Sequence, residues 1–397
     1  MSPTPLCIRA YTTTSALGRG CGAAIAALRE MRSGLSPCGL PGIDLDTWIG
    51  RVWGLEDIRL DRELAEYDCR NHRLAALALD QDGFREAVGA ARDRWGPSRT
   101  AVVMGTSTSG LEHTEACYRL HFAQGAQGLG ADLRYPTTHT NFALAAFCRR
   151  SLGLRGPAVT VSTACSSGAK AIASARRLIL AGLCDAVVTG GVDSLCATTI
   201  NGFKSLELLS PQRAAPWGLG RSGISIGEGA GFLLLERDPP RGDQLALLGC
   251  GESSDAHHIS APHPEGDGAV LAMTAALAAA GLAPRAIDYI NLHGTGTLAN
   301  DRSEDRAVTR VFGDSVPASS TKGATGHALG AAGAIEAALC LACIEGGLLP
   351  GTVGTDTPDP ALSVPVLTQT RPAEARRMLS NSFGFGGSNC ALILGWP

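Results

Sequence analysis

The chain has 397 residues, of which 45% are hydrophobic and 18% are charged, a balance typical of a compact protein with a large core. Its formal net charge of −3 argues against a protein that binds nucleic acid through a basic surface. The 13 cysteines are an odd number in a long chain without a recognisable secretion signal, so we expect reduced thiols and a cytoplasmic protein.

The N-terminal part of the chain shows strand and helix patterns around a polar segment. Residues 5–18 predict a strand that ends in a glycine turn, and Ala23–Met31 predicts a helix. Residues 34–70 are rich in glycine, proline and charge, which is typical of a surface excursion. Two further helices are expected over Asn71–Leu79 and Gln81–Trp95.

Buried strands then alternate with helices. Thr100–Gly105 and Asp185–Gly191 are apolar runs that end in glycine, and Asn141–Leu152 between them has a helical pattern. This alternation predicts a parallel α/β sheet. Further along, Gly229–Glu236 and Gln244–Gly251 resemble a pair of adjacent strands. The longest apolar stretch that we identify, Ala269–Ala283, is too short to span a membrane, so we expect a buried helix and no membrane span.

Two stretches of the chain resemble one another. In each, a short β-like run reaches Ser-Thr, a tight turn follows, and an alanine-rich helix begins. One reactive side chain, Cys165 in the first copy and His327 in the second, stands three residues before a Gly-Ala step. If a duplicated fold brings the copies face to face, a thiol and an imidazole meet in a site suited to acyl transfer. The two helices are expected at Lys170–Gly182 and Ala332–Gly346.

Cys165 is the candidate nucleophile. The run Thr163-Ala-Cys165-Ser-Ser-Gly168 places its thiol on a turn from strand to helix. Unpaired N–H groups at a helix N-terminus favour a thiolate, so we expect a lowered thiol pKa. The same N–H groups are suited to holding a developing oxyanion.

Two histidines are candidates for the same site. His293 follows a predicted strand in His293-Gly-Thr-Gly-Thr297, where the glycines leave the site open and Thr295 and Thr297 offer hydroxyls to a polar ligand. His327 is expected at a helix N-terminus, a position that disfavours imidazolium. We therefore expect a neutral ring that can donate a hydrogen bond.

Three other features complete the candidate site. Lys322 would need a carboxylate if it is buried, and Glu304, on the helix after His293, is the expected partner. The turn Phe383-Gly-Phe385-Gly-Gly387 suits a mobile apolar gate with an exposed backbone N–H.

Two familiar patterns do not predict a site. Gly218-Leu-Gly220-Arg-Ser-Gly223 matches the dinucleotide fingerprint, but it follows a proline-rich loop and not a strand. The histidines of the loop over residues 253–268 have no spacing typical of zinc sites, so we expect no metal there.

Four motifs together resemble the elongating β-ketoacyl-acyl-carrier-protein synthases, and the similarity extends over essentially the whole chain in order and spacing. The motifs are Thr163-Ala-Cys165-Ser-Ser-Gly168, His293-Gly-Thr-Gly-Thr297, Lys322-Gly-Ala-Thr-Gly-His327 and Asn381-Ser-Phe-Gly-Phe-Gly-Gly-Ser-Asn389. The resemblance implies a thiolase-like α/β fold with two pseudo-symmetric halves in five αβαβα layers. The expected halves are residues 1–245, with the nucleophile, and 246–397, with both histidines.

The resemblance also implies residue roles. Cys165 would accept the acyl group, His293 and His327 would assist the decarboxylation of a malonyl thioester, and Lys322 with Glu304 would organise the site. The backbone N–H of the gating Phe385 would join that of Cys165 in an oxyanion hole. Further substrate contacts are expected from the cavity residues Thr295, Thr297, Thr108, Phe203 and Phe383.

The implied reaction is a decarboxylative condensation that extends an acyl chain by two carbons, with no metal or redox cofactor. The implied partners are an acyl carrier protein and a second ketosynthase-like subunit, identical or related. Thr108 stands where fatty-acid enzymes often have a bulkier apolar residue, and the segment after Phe203 resembles synthases of specialised pathways such as aryl polyene formation.

Two other functions compete with this one. A non-catalytic partner subunit, of the chain-length-factor kind, typically lacks the nucleophile, which this chain retains at Cys165. A degradative thiolase needs a second catalytic cysteine near the C-terminus, and Cys390, the nearby candidate, lies inside a predicted strand.

Overall fold

The computed structural model describes residues 4–125, 129, 133–242 and 244–397. The helices are α1 Gly20–Arg29, α2 Arg70–Leu79, α3 Phe84–Trp95, α4 Leu111–Gln124, α5 Phe142–Ser151, α6 Ser167–Leu180, α7 Ala197–Ser205, α8 Asp267–Ala280, α9 Leu298–Phe312, α10 Lys322–Thr325 and α11 Ala332–Gly346. The strands are β1 Leu6–Ser15, β2 Gly18–Arg19, β3 Leu35–Pro37, β4 Trp48–Gly50, β5 Thr100–Gly105, β6 Ala158–Val161, β7 Ala186–Asp193, β8 Ile226–Gly227, β9 Gly229–Glu236, β10 Ala246–Ser254, β11 Tyr289–Asn291, β12 Ala318–Ser319, β13 Leu348–Leu349, β14 Arg371–Pro372, β15 Arg377–Gly384 and β16 Ser388–Gly395.

The main sheet contains the same pattern of strands twice. Its strand order is β12-β11-β15-β16-β10-β1-β9-β7-β5-β6. Outward from the centre, the strands β1, β9, β7, β5 and β6 correspond to β10, β16, β15, β11 and β12. The directions agree as well, because β5 is parallel to both of its neighbours, β11 is parallel to both of its own, and the inner pairs are antiparallel. The sheet is therefore two equivalent halves, as the internal repeat predicts.

The halves meet where β1 pairs antiparallel with β10, at Leu6–Leu247 and Cys7–Ala246. We therefore propose the division of the chain at residues 245 and 246. The expected pairing of Gly229–Glu236 with the next strand is wrong, because β1 lies between β9 and β10 and pairs with both. Although β9 and β10 are close in sequence, the N-terminal strand β1 lies between them in the sheet.

Three hydrophobic clusters define five layers. One cluster packs α2, α3 and α5 on the outer face of the first half-sheet, and another packs α8 and α9 on the outer face of the second. The largest cluster holds α6 and α11 between the inner faces. This is the thiolase-like α/β fold that the sequence predicts.

The helix α11 lies in the middle of this arrangement and is buried from Ala332 to Ile344. A helix that is apolar on every side belongs either in a membrane or in a large core. The stretch Leu329–Gly346 has 18 residues and a mean hydropathy of 1.6, enough by length and composition to cross a membrane, yet 89% of it is buried inside the protein. It is therefore a core helix.

The two repeated helices touch through small residues. A Cβ added to Gly168 of α6 would lie 2.9 Å from Ala334 N and from Gly330 O, both in the second copy. A Cβ added to Gly333 of α11 would lie 2.9 Å from the Cβ of Ala169. The Gly-Ala steps of the repeat are thus the contact between its two copies, and they set the distance between the reactive side chains.

Candidate active site

The structure brings Cys165, His293 and His327 together. The Cys165 Sγ and one nitrogen of each imidazole all lie within 4.8 Å of one another. The two rings meet edge to face, with centroids 5.4 Å apart, and all three residues are buried. This thiol and imidazole set is also of a kind that can hold zinc.

A cavity of about 240 Å³ opens on these side chains. It is lined by Cys165, Phe203, Leu206, Leu208, Ile224, Asp255, Ser260, Ala261, Pro262, His293, Thr295, Thr297, Ala299, Asn300, His327, Phe383, Gly384, Phe385 and Asn389. Its wall is mainly apolar, and its polar lining residues include both histidines, Thr295 and Thr297. Such a cavity suits a mostly apolar chain with one reactive polar end.

Cys165 stands on the predicted turn between β6 and α6. The preceding Ala164 has φ +52°, a left-handed backbone that costs free energy for a residue with a side chain. The predicted lowering of the thiol pKa is wrong: burial raises the pKa of Cys165 to about 11. The Lys322 charge and the backbone N–H groups of Phe385 and Cys165 offset only part of the desolvation.

Both histidines are neutral, as expected for His327, but the cause differs from the one predicted. Burial first, and the nearby Lys322 charge second, hold the pKa of each imidazole well below its usual range. His327 is not at the N-terminus of a long helix, since α10 ends at Thr325 and α11 begins at Ala332. Exclusion of water therefore determines its protonation.

The position of Lys322 fixes the tautomer of His293. The Lys322 Nζ lies 3.5 Å from the His293 Nδ1. Because an ammonium group only donates, Nδ1 is the accepting nitrogen and Nε2 carries the proton. The His327 Nδ1 is buried and has no hydrogen-bond partner among the described residues.

The predicted pairing of Lys322 with Glu304 is wrong. The Lys322 Nζ donates to Glu336 Oε1 and to the His293 carbonyl, each at 2.5 Å. Glu336 lies on α11 and is almost fully buried. Glu336 is absent from the predicted site, although a carboxylate in the interior of an otherwise apolar helix is a sign that a buried cation lies opposite.

Glu304 instead fixes the backbone of the loop that carries His293. Its carboxylate accepts hydrogen bonds from His293 N at 2.7 Å, Gly294 N at 2.8 Å and Asn381 Nδ2 at 3.2 Å. Burial raises the pKa of Glu304 to about 7, against the opposing effect of these donors. The residue therefore acts on His293 through its backbone and not through Lys322.

Thr108 does not line the cavity beside Cys165, contrary to the expectation for an acyl-pocket residue. Its hydroxyl donates to Asp193 Oδ1 at 2.7 Å, and its N–H donates to the same oxygen. Asp193 also accepts from Thr106 Oγ1 and from Ala331 N of the second copy. Asp193, missed in the sequence, ties this turn to the start of α11, and its charge raises the pKa of Cys165.

The phenylalanines lie at the cavity as predicted. The Phe385 ring lies 5.8 Å from the Phe203 ring, and Phe383 lies 6.0 Å from the His293 ring. Gly386 and Gly387 have φ of +76° and +72°, so the turn after Phe385 depends on glycine. A hydrogen bond from the backbone N–H of Phe385 opposes the rise of the Cys165 pKa.

Thr295 and Thr297 present a pair of hydroxyls on the cavity wall. Their Oγ1 atoms are 3.0 Å apart. The Thr297 hydroxyl also caps α9 by accepting from Asn300 N at 3.3 Å. The pair is thus held by the start of a helix and faces the same space as the thiol.

The duplicated five-layer fold, with a cysteine on the turn before one central helix and two histidines close to it, defines a thiolase-like enzyme of acyl transfer. The comparisons with known proteins identify which kind. The family models for the β-ketoacyl synthase N-terminal and C-terminal domains match residues 73–240 and 245–356. The chain belongs to the β-ketoacyl synthase family and is an acyltransferase of the condensing type.

Individual relatives agree with this assignment. The chain is 36% identical over 382 residues to nodulation protein E of Rhizobium meliloti strain 1021, covering 92% of each. It is 34% identical over 333 residues to 3-oxoacyl-[acyl-carrier-protein] synthase 2 of Vibrio harveyi, covering 80% of this chain and 78% of that protein.

Solved structures are similar over almost the whole chain. A chain from the complex of the ketosynthase ApeO with its chain length factor ApeC, from Xenorhabdus doucetiae, has a TM-score of 0.91 and 41% identity, covering 99% of this chain and 98% of that one. A chain of the ishigamide ketosynthase/chain length factor has a TM-score of 0.88 and 28% identity, covering 100% of each.

Proposed function

We propose that Cys165 carries the growing acyl chain and that His293 and His327 assist its condensation with a malonyl group on an acyl carrier protein. The observation that carries the proposal is the meeting of these three side chains, within 4.8 Å, at the end of one cavity. The alternatives of a non-catalytic subunit and of a degradative thiolase have less support. The first does not need this constellation, and Cys390 lies buried inside β16.

The first half-reaction transfers the acyl group. The thiol must lose its proton, because its pKa is raised to about 11, and a neutral imidazole within 4.8 Å can accept it. The sulfur attacks the acyl thioester carbonyl, a new carbon–sulfur bond forms, and the carrier's carbon–sulfur bond breaks. The proton passes to the leaving thiolate, so an acyl-enzyme and a free carrier thiol remain.

The second half-reaction makes the carbon–carbon bond. With its Nδ1 facing Lys322, His293 can donate through Nε2 to the malonyl thioester oxygen, and neutral His327 is the second donor. Loss of CO₂ leaves negative charge on that oxygen, where preorganised donors in a dry site act most strongly. The enolate carbon then attacks the acyl-Cys165 carbonyl, whose oxygen is received by the backbone N–H groups of Cys165 and Phe385. As the carbonyl re-forms, the carbon–sulfur bond to Cys165 breaks. The β-ketoacyl chain remains on the carrier, and the released thiolate takes up a proton from solvent.

The same proposal assigns the remaining residues. Thr295 and Thr297 hold the phosphopantetheine arm of the carrier, and Phe203, Phe383 and Phe385 form the apolar wall around the acyl chain. No resident metal or redox cofactor is required, because side chains and backbone groups supply each step. Condensing activity that survives dialysis against a chelator would support this assignment.

The assignment of the nucleophile is tested by mass spectrometry of the intact protein after incubation with an acyl carrier protein bearing an acyl thioester. We expect the wild-type chain and Cys38→Ala, a control at another free cysteine, to gain the acyl mass. Cys165→Ala should gain none. An adduct on Cys165→Ala would refute the assignment, and release of CO₂ from malonyl carrier protein by the wild type separates an active enzyme from a non-catalytic subunit.

We also propose that the chain works as a heterodimer with a chain-length-factor-like subunit. The two ends of the main sheet differ. The edge of β12 is covered by the chain itself, since Leu367 N donates to Ala318 O at 2.8 Å. Among the described strands, β6 pairs only with β5, and Val159 is 40% exposed. The helix α5 packs on β6, the turn before α5 packs on α5, and α4 packs on that turn. Each of these three elements carries exposed aromatic side chains. These are Tyr118, Phe122, Tyr135 and Phe142.

An open strand edge beside apolar side chains suits a second chain of the same fold, and two structural neighbours are complexes with chain length factors. Co-expression with such a factor should give a one-to-one complex. Val159→Lys should abolish the complex, because a charge blocks the strand edge. Leu271→Lys, at an exposed position of α8, should leave the complex intact. A stable self-dimer that takes up no factor would contradict the heterodimer.

The pathway and location are proposals of the same kind. We propose a specialised pathway, of the aryl polyene type, and a cytoplasmic location. Product masses from a panel of acyl primers test the first, and cell fractionation tests the second.

A further inference from the structure

A buried ion pair lies behind the threonine loop of the cavity. The side chains of Arg221 and Asp301 are fully buried, and Arg221 Nε lies 3.2 Å from Asp301 Oδ2. Arg221 belongs to the glycine-rich segment that mimics a dinucleotide fingerprint, and Asp301 lies in the first turn of α9. Neither residue lines the cavity, so we assign neither of them a direct contact with substrate.

Asp301 and the glycine-rich segment together hold the peptide units between the two cavity threonines. Gly296, which separates Thr295 from Thr297, donates its N–H to Asp301 Oδ1 at 3.2 Å. Its carbonyl accepts from Gly223 N at 3.2 Å. Gly296 has φ +83°, a left-handed conformation that glycine adopts without strain and other residues rarely adopt. The two hydrogen bonds hold the loop in this conformation.

A third segment closes the arrangement. Arg221 Nη1 donates to Asp359 Oδ2 at 2.8 Å, and Asp359 N donates to Trp217 O at 2.8 Å. Trp217 in turn donates its N–H to Asp301 Oδ2 at 2.9 Å and has the unusual φ of +62° for a bulky residue. The glycine-rich segment, the threonine loop and the segment around Asp359 thus converge on one carboxylate and one guanidinium.

Buried charges are costly unless they are paired. Arg221 meets Asp301 as an ion pair and hydrogen-bonds through Nη1, while its Nε and Nη2 have no hydrogen-bond partner among the described residues. Asp301 makes the hydrogen bond to the loop that carries the cavity hydroxyls. We infer that Arg221 and Asp301 are positioning residues that hold Thr295 and Thr297 in place for the carrier's pantetheine arm. The inference rests on the proposed function of those threonines. The glycine-rich segment therefore serves the cavity by supplying Arg221 and Gly223 as supports.

The experiment measures acylation of Cys165 at increasing concentrations of acetyl-pantetheine, a thioester probe without a carrier protein. We expect Arg221→Met to raise the half-saturating concentration about tenfold and to leave the limiting rate within about twofold, because the chemistry at Cys165 is untouched. Alkylation of Cys165 by iodoacetamide, which makes no use of the threonines, should stay at the wild-type rate.

A second variant keeps the inference testable if Arg221→Met does not fold. Asp359→Asn removes the partly exposed partner of Arg221 and should raise the half-saturating concentration about threefold, again without a change in alkylation. Unchanged half-saturation in both variants, or an equal loss of limiting rate and alkylation, would overturn the positioning role. If wild-type protein is alkylated at Cys165 but gains no acyl group, the proposed function fails, and the inference fails with it.

Discussion

The two copies of the repeat have the same topology and different chemistry. In the first, the turn from β6 to α6 carries Cys165, and the next residues enter the helix at once. In the second, β12 is followed by the extra short helix α10, which supplies Lys322, and only then by His327 and α11. The duplicated fold sets the distance between the two copies. The insertion of α10 in the second copy adds Lys322, which has no counterpart in the turn of the first copy.

The surroundings of the copies differ in the same way. The helix α6 has an exposed side and the edge strand β6 is open, whereas α11 is buried along its length and β12 is covered. A site between these two copies can be approached by partners from the exposed first copy, while the buried second copy excludes water from it. Under the proposed function, the first copy supplies the nucleophile and the interface, while the second copy and its surroundings supply the charged and polar groups.

The strongest test of this division removes the imidazoles of the second half. In the double variant His293→Ala/His327→Ala, release of CO₂ from malonyl carrier protein should fall by about 100-fold or more, because the donors to the developing enolate are lost. Alkylation of Cys165 above pH 11 should persist, since a hydroxide then removes the proton. His258→Ala, in an exposed loop, is the control, and undiminished decarboxylation would place the electrostatics elsewhere.

The buried lysine of the second copy should matter more for stability than the lysine of the first. Lys322→Ala leaves Glu336 buried without its cation, which we expect to cost about 3–5 kcal/mol of unfolding free energy. Lys170→Ala, which loses a 3.9 Å contact with Glu252 near the surface, should cost less than about 1 kcal/mol.

Urea denaturation measures both costs. Lys322→Ala/Glu336→Ala should recover part of the loss by removing the unpaired charge. Equal costs for the two lysines would mean that the copies are not electrostatically different.

The contact between the copies can be tested with one methyl group. Gly168→Ala places a Cβ 2.9 Å from backbone atoms of the second copy, and we expect a loss of about 1–3 kcal/mol from overpacking. Gly89→Ala, in α3, meets nothing within 4 Å and should stabilise the protein by about 0.5–1 kcal/mol. Thermal unfolding compares them, and a tolerated Gly168→Ala would show that the interface is not closely packed.

The smallest expected effect concerns pH. The pKa of Glu304 is raised to about 7 from the usual 4.5, so the folded state binds its proton more tightly than the unfolded state does. Its contribution to stability is therefore present at low pH and is lost as the pH rises through about 7. Glu304→Gln should show a shallower loss of unfolding free energy between pH 5 and pH 8 than the wild type, with Glu63→Gln at the surface unchanged. Identical slopes would contradict the raised pKa.

Much of the site could be predicted from the sequence, because its residues come in short motifs next to turns. The positions of Cys165, His293 and His327, and the helix Ala332–Gly346, required only local patterns and the likeness between two stretches. A carboxylate inside an apolar helix indicates a buried cation near Glu336, but the identity of that cation could not be predicted, since the packing of α11 brings Glu336 to Lys322. The pKa of Cys165 also could not, because desolvation depends on every atom that excludes water around the thiol.

The sequence by itself determined the duplication, the α/β alternation and the identity of the reactive groups, which are properties of residue order and local turn chemistry. Only the tertiary structure decided that β1 separates β9 from β10, that Asp193 holds the Thr108 turn, and that Lys322 pairs with Glu336. These are contacts between segments far apart in the chain. They depend on how two half-sheets close around α6 and α11, and no local pattern encodes that closure.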